Sequence, residues 1–205
     1  MITEFKEHLL FPTPVYQNNI PVVDLDEIKQ EEFREIIPDK NGHYTKNTKI
    51  LDKYIDLKKS IQEHIDCYVY NHLKIDTRYT FHITNSWVNK HTRDDFANKH
   101  FHTHSLISGI YYLQAPKDSG KPVFYNSSTN IMLSNMFDFE LTESNYINNS
   151  RYTIDIKDGD IIIFPSHLQH SVEKSQTNEL RYSLAFNGWV SGQFGIPGGV
   201  DELII

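Results

Sequence analysis

The sequence predicts a mainly β protein with helices at its N-terminus, an antiparallel sandwich or barrel buttressed by those helices. Three observations predict it. Apolar residues recur at helical spacing in the first part of the chain, up to about residue 77. From about Arg78 the texture changes to short β-branched and aromatic runs separated by turn signals. A length of 205 residues suits one domain with a sizeable core. The expected organisation is one domain over 1–205, with a helical buttress over 1–77, a β-barrel core over 78–190 and an irregular tail over 191–205. Four glycines between Gly192 and Gly199 favour irregular structure in that tail.

The elements follow in order. Asp24-Leu25-Asp26-Glu27 resembles a capping box, with Asp24 as N-cap and Glu27 three residues on. Leu25, Ile28, Phe33 and Ile36 then give a roughly helical apolar face, ended by Pro38, and Asp39-Lys40-Asn41-Gly42 reads as a turn. A second helix is expected from about Asp52 to Leu73, where Leu57, Ile61, Ile65, Tyr68 and Val69 keep the helical period. Strands are expected at Phe81–Asn89, Leu106–Gln114, Pro122–Tyr125, Tyr152–Ile156, Asp160–Phe164 and Arg181–Val190. Pro116–Gly120 and Lys157-Asp158-Gly159 read as turns. Asn126–Asn149 is polar at both ends and reads as an irregular insertion over one end of the barrel.

Composition narrows the function classes. The formal charge of −7 comes without a basic block, which argues against nucleic acid as the main partner. The single cysteine, Cys67, rules out an internal disulfide framework and fits a reducing compartment. No apolar run resembles a signal peptide or approaches the ~18 residues of a membrane helix, so a soluble, cytoplasmic protein without a membrane partner is expected.

Histidines carry the strongest chemical signal. Three of eleven lie in Lys99-His100-Phe101-His102-Thr103-His104, spaced by two. On an extended strand His100 and His102 converge on one face, with His104 next in line. A second cluster, Phe164-Pro165-Ser166-His167-Leu168-Gln169-His170, follows the apolar run Ile161–Phe164, and Pro165 turns the chain toward the histidines. His8, His43, His64, His72, His82 and His91 show no such grouping and read as solvated or packing residues. Neutral imidazole suits iron, zinc, copper and nickel alike, so these residues do not choose the metal.

Arg181 and Ser183, eleven and thirteen residues after His170, share a strand face that Asn187 continues. A guanidinium beside a hydroxyl can hold a carboxylate by charge-assisted hydrogen bonds. By itself the same arginine reads as a surface residue paired with Glu179 or another carboxylate. Asn85, Trp87 and Asn89 alternate on a candidate cavity-lining strand, where Trp87 also suits plain core filling.

Ser86-Trp87-Val88-Asn89, His100-Phe101-His102, Ser108 to Leu113, Phe164-Pro165-Ser166, His170-Ser171-Val172 and Arg181 to Asn187 form an ordered set spanning about residues 85–190. That set resembles the 2-oxoglutarate- and Fe(II)-dependent oxygenases, in particular a branch known largely from bacterial and phage genomes. Leu10-Phe11-Pro12-Thr13-Pro14-Val15-Tyr16 also resembles the opening of that branch. The resemblance implies a double-stranded β-helix, a cupin-like jelly-roll barrel with iron at one mouth. It implies Fe(II) on His100, His170 and His102, and 2-oxoglutarate as a cosubstrate held by Arg181, Ser183 and Tyr112. It implies a dioxygenase, a hydroxylase, that couples decarboxylation of 2-oxoglutarate to succinate with oxidation of a substrate. Asn85, Trp87, Asn89 and Asn187 become candidates for the substrate cavity.

One departure stands out. The wider superfamily has a carboxylate where this chain has His102, whereas the branch it resembles carries His-x-His. Two coordinations are open: three histidines on the iron, or His102 outside the metal's ligands with water in its place. Asp94 and Asp95 precede the strand and read better as a solvated turn. Small-molecule, amino-acid and peptidyl substrates all fit. Two other readings share the histidines: a cupin-like three-histidine metalloenzyme without 2-oxoglutarate, for which Arg181 is spare, and a non-catalytic protein with a closed structural metal or none.

Overall fold

The computed structural model describes residues 6, 8, 12–22, 25–37, 41–126, 140, 142–143, 145–146 and 148–205. Asp24 of the expected capping box, Pro38 to Lys40, Leu10, Phe11 and most of the expected insertion lie outside the described residues.

Thirteen strands and two α-helices follow one another among the described residues. They are β1 (Tyr16–Asn19), α1 (Asp26–Lys29), β2 (Phe33–Glu35), β3 (His43–Thr45), α2 (Ile55–Asp66), β4 (Thr80–His91), β5 (Ala97–His100), β6 (Ile107–Gln114), β7 (Pro122–Tyr125), β8 (Arg151–Thr153), β9 (Asp160–Pro165), β10 (His170–Val172), β11 (Arg181–Ser191), β12 (Gln193–Phe194) and β13 (Leu203–Ile204). A seven-stranded sheet has the order β1-β9-β6-β11-β4-β3-β2, and a four-stranded sheet has the order β5-β10-β7-β8. The two sheets face one another as a jelly roll, with Phe124 of β7 edge-on to Phe164 of β9 at 5.0 Å between ring centroids.

Side-chain alternation decides which face of the large sheet looks where. On β11, Tyr182, Leu184 and Phe186 join a core built with Leu57, Ile61 and Ile65 of α2. Arg181, Ser183 and Ala185 point the other way, into the cavity between the sheets. Each buried Leu or Ile of that helix-facing core contributes roughly 1.5–3 kcal/mol, so the pleat of β11 is fixed by what lies behind it. A register slip by one residue would send Arg181 into the helix-facing core. Gly109 of β6 belongs to the same packing, because a Cβ there would sit 2.2 Å from the Phe186 ring.

The N-terminal third differs from the helical expectation. The first helix is one turn, and Phe33–Glu35 is a strand paired with His43–Thr45. A single turn cannot sustain itself without tertiary support, and the β2–β3 ladder satisfies the backbone instead. Phe33 still reaches the core, edge-on to Tyr182. Together β1, β2 and β3 extend the large sheet at both its edges, so residues 1–77 contribute strands as well as helices. The second helix divides into a 3-10 turn at Ile50–Asp52, α2, and a wider π-helical turn at Cys67–His72. The strand expected at Tyr152–Ile156 runs over Arg151–Thr153, and the tail carries the short β12–β13 ribbon. Among the described residues no helix is long and apolar enough to cross a membrane.

Candidate metal centre

β5 and β10 are antiparallel neighbours, and their register places His170 opposite His100. Their rings lie 4.3 Å apart between centroids. His102 comes from the chain just past the end of β5, where its backbone N–H donates to the Ser166 carbonyl at 3.0 Å. Its ring lies 5.2 Å from His100 and 5.1 Å from His170. One ring nitrogen from each of the three lies within 4.8 Å of the others. No carboxylate joins them among the described residues.

Expecting one continuous strand from His100 to His104 gives the right neighbours for a different reason. The strand stops at His100, and the hydrogen bond to Ser166, rather than the pleat, carries His102 inward. His104 has a φ of 54° and stays out of the group. His167 is exposed in the turn before β10. Asp94 pairs with Lys174 at 2.9 Å, and Asp95 accepts from the Thr92 backbone N–H at 2.8 Å, so both belong to a turn.

Backbone carbonyls fix the tautomers of two of the three rings. His100 Nδ1–H donates to the Asn98 carbonyl at 2.7 Å, and His170 Nδ1–H donates to the Leu168 carbonyl at 2.9 Å. A carbonyl can only accept, so Nδ1 carries the proton and the Nε2 lone pair is left for a metal. Burial, helped by His100, lowers the His170 pKa to about 3 and that of His102 to about 4. At neutral pH neither has a proton to lose before ligating. Trp87 tilts against His102 at 6.1 Å.

The histidines open onto a cavity of about 250 Å³. Arg181, Tyr112 and Ser183 line it, only 2%, 1% and 5% exposed. Arg181 Nη1 donates to the carbonyls of Ser119 at 3.0 Å and Gly120 at 2.7 Å, and Nη2 donates to His91 Nδ1. Every hydrogen-bond partner of this buried cation among the described residues is neutral. Among the described residues, Arg181 Nε and the Tyr112 hydroxyl have no hydrogen-bond partner. Burial raises the Tyr112 pKa and lowers that of Arg181. These donors suit a carboxylate, and the neutral imidazoles suit a divalent metal, so the residues present fit Fe(II) with an acidic chelator.

Trp87 and Asn89 line the cavity, as their alternation suggests. Asn85 and Asn187 do not line it. Asn85 is solvent-exposed. The Asn187 Oδ1 accepts from the Ser108 hydroxyl at 2.9 Å, just before a bulge in the β4–β11 ladder that breaks the strand's regular alternation. Reasoning from spacing missed several residues in the cavity wall, among them Asn41 and His91. A signal for His91 was present, since it extends the Trp87–Asn89 alternation by one more step.

A jelly roll with three clustered imidazoles at one end of a cavity and a buried cation in its wall is the arrangement that a mononuclear metal with an anionic chelator would need. The 2OG-Fe(II) oxygenase family matches over residues 85–187, half of the chain, and the protein belongs to that family. No curated protein matches the sequence. Several solved structures share the fold. HygX from Streptomyces hygroscopicus, with nickel and 2-oxoglutarate bound, superposes with a TM-score of 0.54 at 12% identity over 89% of this chain and 84% of that one. The epimerase SnoN in complex with Fe3+, alpha ketoglutarate and nogalamycin RO gives 0.59 at 14% identity, covering 93% and 89%. A Pseudomonas putida prolyl-4-hydroxylase gives 0.52 at 12% identity, covering 89% and 94%.

Proposed function

We propose that this protein is an Fe(II)- and 2-oxoglutarate-dependent hydroxylase, with His100, His102 and His170 holding the metal and Arg181, Tyr112 and Ser183 holding the distal carboxylate of 2-oxoglutarate. The observation that carries the reading is Arg181. A cation 2% exposed, with neutral partners and an unengaged Nε–H beside an unpartnered Tyr112 hydroxyl, costs several kcal/mol to bury, and a ligand carboxylate would offset that cost. A three-histidine enzyme without an acidic cosubstrate has no use for it.

Bound Fe(II) and 2-oxoglutarate would supply O2-dependent decarboxylation of the oxo acid to succinate, coupled to oxidation of a substrate C–H bond. The chain's own residues bind, orient and exclude water. With Nδ1–H committed to a backbone carbonyl, His100 and His170 present Nε2 as the nitrogen for a metal. Arg181 and Tyr112 offer donors in a dry wall, where charge-assisted hydrogen bonds are strong. Trp87 and Asn89 flank the space beside His102 that a substrate would enter. Solved relatives of this fold include an epimerase, a carbocyclase and a prolyl hydroxylase, so the outcome depends on which C–H bond the substrate presents. A soluble, cytoplasmic enzyme acting on a small molecule or a peptidyl group fits this reading.

The test is turnover of 2-oxoglutarate by the purified full chain, with succinate measured by NMR. Succinate should form when Fe(II) and oxygen are both supplied and not when either is withheld. Failure to form succinate in the iron-loaded protein would overturn the proposal.

A further inference from the structure

Four buried side-chain polar atoms among the described residues lack a hydrogen-bond partner: Asn41 Oδ1, His91 Nε2, Tyr112 Oη and Arg181 Nε. All four belong to residues lining the same cavity. The proposed cosubstrate accounts for Tyr112 and Arg181 but leaves His91 without a role.

His91 is 3% exposed and closes β4 directly opposite Arg181 in the β4–β11 ladder. Residues opposite one another in such a ladder project to the same face, so the imidazole and the guanidinium enter the cavity together. The hydrogen bond from Arg181 Nη2 ends on His91 Nδ1. The acceptor nitrogen carries no proton, which makes His91 the neutral Nε2–H tautomer. Burial, with Arg181 and His43 as the charged and titratable groups facing it, holds its pKa at about 3 and keeps that tautomer at all physiological pH values. Gly42 closes the other side of the ring. A Cβ there would lie 2.3 Å from Cδ2 and 2.6 Å from Nε2 of His91. The ring is therefore clamped between a backbone and a cation.

A guanidinium has five N–H bonds. In Arg181 both on Nη1 go to the carbonyls of Ser119 and Gly120, and one on Nη2 goes to His91. Left over are Nε–H, which has no partner among the described residues, and one hydrogen of Nη2. An Nε–H with the Nη2–H on its own edge is the fork that takes a carboxylate bidentately.

We propose that His91 is a positioning residue of the 2-oxoglutarate site, fixing the rotation of Arg181 so that its Nε–Nη2 edge faces the distal carboxylate. The proposal rests on Arg181 being the carboxylate anchor.

Calorimetry on the Mn(II)-loaded full chain tests it with two acids: 2-oxoglutarate, and 2-oxopentanoate, which keeps the chelating 2-oxo acid and lacks the distal carboxylate. His91→Leu removes the acceptor and should weaken 2-oxoglutarate about tenfold, leaving 2-oxopentanoate within about twofold of the parent. His91→Asn, whose amide oxygen can stand where Nδ1 stands, should keep 2-oxoglutarate within about threefold. His91→Phe keeps a ring and carries the same expectation as His91→Leu if that variant does not fold. Equal losses for both acids, no loss for 2-oxoglutarate, or a His91→Asn variant as weak as His91→Leu would each overturn the proposal. Arg181→Ala separates this from the underlying reading. If it fails to discriminate between the two acids, Arg181 is not the anchor, whatever His91 does.

Discussion

The cavity brings together two ends that are built differently. The histidine end uses short strands at one side of the four-stranded sheet and a loop residue, and its side chains run from exposed His100 to His170 at 3%. The anchor wall uses β6, β11 and β4, adjacent long strands inside the seven-stranded sheet, with the outer face buried under α2. The contrast follows from what each must do. A metal that reacts with oxygen and a substrate needs an open side. A cation that recognises one carboxylate works best where water is excluded and the backbone cannot shift. Changes at the histidine end should therefore cost ligands rather than fold, and changes at the anchor should cost both.

The largest effect is expected from His170→Ala. Residues that merely support a metal ligand are worth about 10–100-fold in affinity, so removing a ligand should lower Mn(II) affinity by more than about a hundredfold in calorimetry. The exposed His167→Ala should leave it unchanged. A His170→Ala protein that binds metal like its parent would remove this residue from the site. Arg181→Ala comes next. It should weaken 2-oxoglutarate by roughly ten- to a hundredfold with Mn(II) affinity nearly intact. It also strips partners from two buried carbonyls, at a cost of about 1–3 kcal/mol in stability. His100→Ala, at the open end, should unfold at nearly the parental temperature. Equal destabilisation by the His100 and Arg181 changes would erase the contrast between the two ends.

Much of the candidate site was legible from spacing, and the exceptions have physical causes. His100 and His102 were marked by their alternation and His170 by the apolar run before it. The long strands were legible for the same reason: Arg181 to Val190 is buried on both faces and reads as a continuous strand. The fate of Phe33–Glu35 was not legible. A three-residue strand is specified by its partner His43–Thr45, not by its own pattern. Asn41 reads as part of a turn, and the β2–β3 pairing brings this residue against the cavity. Asn85 and Asn187 show the reverse error, since the alternation that nominates them runs past the cavity to a bulge. His91 continues the Trp87–Asn89 alternation, but its role shows only when the strand opposite supplies Arg181.

A smaller effect is expected at His102, the third histidine of the cluster. Three neutral imidazoles leave the full charge of a divalent metal uncompensated, so the carboxylates of 2-oxoglutarate supply more of the balance. Metal and 2-oxoglutarate should then strengthen each other's binding by the same factor, within the typical 5–150-fold range of such couplings. His102→Asp restores two nitrogens and one carboxylate. It should raise Mn(II) affinity about tenfold and reduce the coupling. Calorimetry measures both legs of the cycle. An unchanged coupling in His102→Asp would mean that residue 102 does not set the charge at the metal.

The smallest effect separates the anchor wall from the rest of the fold by its response to acid. His91 has a folded pKa of about 3, against about 6.5 for an unfolded histidine. Above pH 6.5 both states are neutral and the residue adds no pH dependence. As the pH falls through 6.5, the unfolded chain takes up a proton that the folded chain refuses, and stability is lost progressively until about pH 3. Arg181 and His43, the charged and titratable groups facing the ring, both oppose that proton. Between pH 7 and 5.5 the loss due to this one residue is about 1 kcal/mol. His91→Asn cannot titrate, so whatever it costs at pH 7, its urea-unfolding free energy should fall by about 1 kcal/mol less than the parent's over that interval. The readout is a difference in slope, independent of the packing change that the substitution brings. Parallel curves for parent and variant would mean that His91 accepts a proton in the folded protein. Arg181 Nη2 would then have lost its acceptor, and the clamp that orients the guanidinium would not exist.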